Sequence, residues 1–137
     1  MNKIVISLTL LLCIQLGTYA QHSVTIKINE LRSSKGNILL ELSTDKEVVI
    51  RKAKQNIVGN SCTIRLDNIK SGKYTFRYVH DENNNNEMDT NWIGMPVEGV
   101  GFSNNAKSSF GPPDLEDTFF TVDNDKTMNC TVVYIGE

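Results

Sequence analysis

"SCTIRLDNIKSGKYTFRYVH", residues 61–80, decides the fold class. Its first part, 61–66, alternates: Cys62, Ile64 and Leu66 fall on one side, Thr63 and Arg65 on the other. Its second part, 73–80, alternates again, with Tyr74, Phe76, Tyr78 and His80 sharing a face. Successive side chains of a strand point to opposite faces, so each part reads as a strand with one buried side. Residues 67–73, "DNIKSGK", join them tightly, with Gly72 available for a positive φ.

The same rhythm runs outward in both directions. "VTIKI" (24–28) puts Val24, Ile26 and Ile28 on one face, and "GNILLELST" (36–44) does so with Ile38, Leu40 and Leu42. "EVVIRKA" (47–53) reads as a strand or a helical turn. "DTFFTV" (117–122) and "TMNCTVVYI" (127–135) read as a closing hairpin across "DNDK". About seven short strands with turn residues between them and no amphipathic helix predict an all-β chain. The expected architecture is a single antiparallel β-sandwich with Greek-key connections; a closed barrel is the alternative.

The first twenty residues belong to a different pattern. Lys3 precedes an apolar run, 4–16, of signal-peptide length and too short to span a bilayer. Thr18 and Ala20 are the small residues a signal peptidase reads, so the expected mature domain begins at Gln21 and covers 21–137. The protein is expected to be exported, to the periplasm or beyond, with no transmembrane segment in the mature chain. Cys13 follows Leu12, where a lipobox requires a small residue, which argues against lipidation.

Charge is unevenly spread. Residues 21–80 carry eleven Lys/Arg against five Asp/Glu, and 81–137 carry two against eleven. The acidic half suits cations. The basic residues are dispersed and not interleaved with aromatics, which excludes a nucleic-acid interface. Cys62 and Cys130 both sit on apolar strand faces, and either a disulfide or two buried thiols fits an exported protein.

Residues 80–116 interrupt the strand rhythm. A connection this long is functional when it is ordered. Its apolar content, Trp92, Ile93, Met95, Val97, Phe102 and Phe110 among others, predicts order, with Trp92, Phe102 and Phe110 clamping the loop onto the sandwich and His80 fixing its start. "FGPPDLED" is expected to hold one helical turn. At its head, Asp81, Asn83, Asn85, Glu87 and Asp89 place oxygen-bearing side chains at every second position, as a calcium loop does. Calcium is therefore the candidate cofactor. Asn84 and Asn86 would take the left-handed turn positions usually held by glycine. Trp92 stands where such a loop ends in a bidentate acid, and a later acid such as Glu98, Asp114 or Glu116 would have to complete the shell. The metal-free alternative is an Asx-rich turn bonded to itself. Ser103 lies outside any GxSxG elbow and lacks a second histidine, so no catalytic set is assembled and a non-catalytic protein is expected.

With these residues assembled, the chain resembles a bacterial family known as domain of unknown function 2141. The resemblance is carried by Gly72 and Tyr74; by His80, Asp81, Asn83, Asn85 and Asp89; by Gly94, Pro96, Glu98, Gly101, Phe102, Ser103, Asn104 and Asn105; and by Phe110, Gly111 and Pro113. The chain departs from the pattern at Asn84 and Asn86, where glycine is usual. The resemblance implies an exported single-domain protein of Bacteroidetes type, adds Asn104 to the residues that shape the loop, and assigns no activity or partner. The 72–74 strand also resembles the segment found in transthyretin-like and carboxypeptidase-regulatory-like sandwiches, which by analogy points to the expected transthyretin/immunoglobulin-like fold.

Overall fold

The structure is a computed structural model that describes residues 19–136. The apolar run at 4–16 and Cys13 lie outside the described residues. Among the described residues eight strands are formed: β1 (Gln21–Asn29), β2 (Asn37–Thr44), β3 (Val49–Asn56), β4 (Cys62–Lys70), β5 (Gly72–Asp81), β6 (Gly99–Phe102), β7 (Phe120–Val122) and β8 (Lys126–Thr131). One sheet has the order β4-β1-β8. The other runs β3-β2-β5, with β6 and β7 sharing the far side of β5. The chain leaves β3 to build β4 in the opposite sheet, then returns as β5 on the other side of β2, a Greek-key-type crossing.

The alternating residues supply the core between the sheets. Val24, Ile26, Ile28, Ile64 and Leu66 face Ile38, Leu40, Leu42, Phe76 and Tyr78, all buried. Each such side chain contributes about 1.5–3 kcal/mol on full burial. Phe76 meets Phe120 edge-on, ring centroids 5.5 Å apart. Tyr78 keeps its hydroxyl satisfied by donating to Thr131 O at 2.7 Å.

The opening stretch is two strands but not a hairpin. β4 pairs with β1 and β5 with β2, and the chain crosses between sheets through Ser71. The apolar faces of β4 and β5 meet the core from opposite sides. Pairing them edge to edge would have placed both faces in one layer. Gly72 is not at positive φ; Asn68, within β4, is, at +60°. The closing hairpin is likewise a crossover. β7 joins β5, while β8 pairs with β1, and that pair is parallel. Of residues 47–53, the part from Val49 on is strand, within β3, while Glu47 is in the turn before it at φ +59°.

Cys62 and Cys130 are free buried thiols. Both are opposite Ile28, one on each side of β1. Two strand spacings separate them by roughly 10 Å, beyond the reach of a disulfide, which corrects that alternative.

The 80–116 connection contains an eighth strand, β6. Its inward positions are glycines. A Cβ on Gly99 would collide with Val132 and Tyr134, and one on Gly101 with the Tyr78 ring. A 3-10 turn at Leu115–Thr118 supplies the helical turn expected after Pro113.

Candidate functional site

The end of β5 delivers His80 and Asp81 into the protein, both wholly buried. His80 has Nε2 at 2.8 Å from Lys35 O and Nδ1 at 2.8 Å from Tyr134 Oη. The carbonyl accepts only, so Nε2 donates to it, and in the neutral ring Nδ1 accepts from the tyrosine. Tyr134 Oη in turn accepts the Arg32 backbone N–H at 3.1 Å. Gly36, at φ +72°, lies against Asp81: a Cβ there would strike the Asp81 carbonyl.

Asp81 organises the next five residues. Its Oδ1 accepts the Asn85 N–H at 3.1 Å and its Oδ2 the Asn86 N–H at 2.9 Å. The turn this creates places Asn84 and Asn86 at φ +59° and +63°. Asparagine tolerates that region better than other residues with a Cβ. Both side chains also reach outward, Asn84 Oδ1 to the Asn37 amide and Asn86 Oδ1 to Lys54 Nζ at 2.6 Å.

The alternate oxygens divide into separate roles. Asn83 Nδ2 donates to Asp89 Oδ2 at 2.6 Å, and Asn85 Nδ2 to Asp89 Oδ1 at 2.8 Å. Two amides thus bracket one carboxylate with charge-assisted bonds. Asp81 faces the backbone instead. Glu87 stands apart: it is exposed and lines, with Met88, a groove over β2, β3 and β5. Among the described residues no three His, Cys, Asp or Glu side chains gather as a metal cluster. Oxygens for a cation would come from Asn83, Asn85 and Asp89. Their amide oxygens are turned to the backbone instead, Asn83 Oδ1 accepting the Asn85 N–H at 3.1 Å and Asn85 Oδ1 the Glu87 N–H at 3.0 Å. The buried Oδ1 of Asn37 has no hydrogen-bond partner, while its Nδ2 binds Asn84.

Glu98, which the sequence offers only as a later acid, clasps the loop from below. It is buried, and its two oxygens accept the N–H groups of Glu82 and Asp89 at 2.9 and 3.2 Å. Glu82 is held by Arg32, whose guanidinium also lies 4.4 Å from the Tyr134 ring centre. That ion pair keeps the Glu82 carboxyl below its usual pKa.

Residues 89–97 rise from this base as a finger. Val97 N–H bonds Asp89 O at 3.0 Å, Thr90 bridges Pro96, and Asn91 N–H bonds Met95 O at 2.8 Å. Asn91 Oδ1 accepts the N–H groups of Ile93 and Met95, and Gly94, at φ +84°, closes the tip. The Asn-x-x-Gly spacing of residues 91–94 is a turn signal the sequence reading passed over.

Trp92 sits at this tip and is 94% exposed, as is Phe110. Neither clamps the loop, which corrects the expectation from their apolar character; Phe102 is half-buried. The loop is fastened by polar groups that find backbone partners. Asn104 donates to the carbonyls of Asp117 and Phe119 at 3.1 and 2.8 Å. Asn105 donates to Asn129 O and accepts from Thr131 N–H. Ser103, buried, accepts the Phe76 N–H at 3.1 Å and donates to Thr118 O. It fills the gap on β5 between β6 and β7. His80, four residues further along β5, is roughly 13 Å away at strand spacing. The two are not brought together.

Between the finger and the 106–113 segment lies an apolar groove of about 440 Å³, lined by Ile93, Met95, Phe102, Phe110, Pro113 and Ile135 among others. Ile93, Met95 and Ile135 are themselves exposed. Among the described residues no helix is long and apolar enough to cross a membrane.

The profile of a family described as "Uncharacterized protein conserved in bacteria (DUF2141)" matches residues 26–129. None of the curated proteins matches the chain.

Proposed function

The chain belongs to that family, domain of unknown function 2141, and we propose that it is an exported, non-catalytic recognition module that presents an aromatic finger at the cell envelope. The observation that carries this is the pairing of a fully exposed Trp92 with a rigidly bonded base at Asp89. Exposed apolar patches mark interaction sites. Aromatic side chains supply contact area at low entropy cost, and a fixed base lowers it further. The apolar run at 4–16 and the small residues Thr18 and Ala20 support export. The exposed aromatics contribute little to folding in this reading. Urea melts of Trp92→Ala and Phe110→Ala are expected to stay within about 0.5 kcal/mol of the parent. A loss above about 2 kcal/mol in either would show a buried anchor and end this reading.

A second reading, that the base takes up calcium, is favoured by the gathering of the oxygen-bearing Asn83, Asn85 and Asp89 side chains at one place, where an ion would draw the two amide oxygens from the backbone N–H groups they now accept. Calcium accepts amide and carboxylate oxygens alike, and so few carboxylates imply a Kd on the order of 10⁻⁴–10⁻³ M. Calcium at tenfold its Kd should add roughly 1.4 kcal/mol of stability, removed by chelator. A melting midpoint indifferent to both excludes it and leaves the metal-free finger.

A further inference from the structure

We propose that the groove beside the finger is a self-association surface, and that its occupant is a second copy of this chain. This rests on the reading of the finger as a recognition surface and names its partner. Trp92 and Phe110, almost wholly exposed, present roughly 300–500 Å² between them. That already matches the largest apolar patch of a typical monomer, about 300–600 Å². Ile93, Met95 and Ile135, 40–54% exposed, extend it toward the about 800 Å² that each partner buries in a stable interface.

The face carries both knob and hole. Phe110 lines one groove with Ile93 and Met95, and Trp92, outside that lining, precedes Ile93 at the finger tip. A patch that contains its own complement pairs with itself about a two-fold axis and closes at two copies. Charge narrows the alternatives. The lining holds one charged residue, Lys107, and no carboxylate, so a basic partner finds no counter-charge in it. The surrounding half of the chain is acidic, eleven Asp/Glu to two Lys/Arg over 81–137, which repels an anionic lipid surface.

Trp92 is the one tryptophan of the sequence, so its fluorescence reports on the finger tip, next in sequence to the groove-lining Ile93. The test follows sedimentation and acrylamide quenching of the purified protein across micromolar concentrations. The expected result is a shift to dimer with a severalfold drop in quenching in step, absent in Phe110→Ser. A monomer with Trp92 quenchable throughout overturns self-association and leaves the recognition reading standing. A dimer with Trp92 still quenchable overturns it too, since another face then mediates the contact. A monomer whose Trp92 emission shifts blue on anionic phospholipid vesicles overturns it in favour of a lipid surface. Trp92 shielded in the monomer alone overturns both the inference and the reading beneath it.

Discussion

Asn85 Nδ2 donates to Asp89 Oδ1 at 2.8 Å, and this one bond ties the turn built on Asp81 to the foot of the finger. Asn83 makes the matching bond to the other oxygen. The network therefore does two things: it satisfies the polar groups of an asparagine-rich segment, and it fixes the direction in which residues 89–97 leave the sandwich.

Asp89→Ala removes both charge-assisted acceptors and leaves two exposed amide donors to water. The expected loss is about 1–3 kcal/mol in urea denaturation with an unchanged slope. Asp89→Asn, which keeps one acceptor, should lose less. Equal effects for the two variants would mean that the carboxylate is not what the amides recognise.

The left-handed turn separates residues by shape. Asn86→Gly should stay within about 0.5 kcal/mol of the parent, because glycine adopts φ +63° without strain. Asn86→Ala should lose about 1 kcal/mol or more. Urea melts of the pair check this, and identical midpoints would refute the role of the backbone angle.

Ser103→Ala leaves the buried Phe76 N–H without its acceptor and should cost about 1–3 kcal/mol. Hydrogen exchange at the Phe76 amide should accelerate beyond the global loss. An unchanged exchange rate would show that β5 needs no bridge between β6 and β7.

Most of the fold is visible in the sequence because its signal is local. Alternation over 24–28, 36–44, 61–66 and 73–80 marks the core faces correctly. Pairing partners are not local, so two apparent hairpins turned out to be crossovers between sheets, and β8 runs parallel to β1. β6 escaped because its inward positions, Gly99 and Gly101, make room for large neighbours and leave no apolar alternation. The site was half legible. Turn asparagines announce themselves by residue type, while Glu98 acts through distant backbone groups. Trp92 and Phe110 look like core residues to any reading based on hydropathy; only the structure shows them facing solvent.

Glu82 gives a pH signature. The Arg32 ion pair depresses its folded pKa, so its contribution is present above the unfolded value near 4.5 and is lost as pH falls through the folded value. Glu82→Gln should therefore flatten the acid limb of the stability curve below about pH 4.5 and leave the shape above it little changed. An acid limb as steep as the parent's would assign the effect elsewhere, Glu41 with Lys52 and Arg77 being the next such group.

Cys62 and Cys130 should resist modification. Burial pushes both thiols up to about 11, so iodoacetamide at neutral pH should leave both unlabelled in the folded protein and alkylate both after unfolding without reductant. Recovery of a Cys62–Cys130 disulfide by mass spectrometry would contradict the strand register.

The central claim is that the base at Asp89 fixes a solvent-facing Trp92, and time-resolved anisotropy of that tryptophan in dilute protein tests it most directly. The parent should show a quenchable indole with little segmental motion. Asp89→Ala should keep the indole quenchable while the finger gains a fast depolarising component. An anisotropy decay identical in the two proteins, or an indole shielded in the parent, would contradict the account.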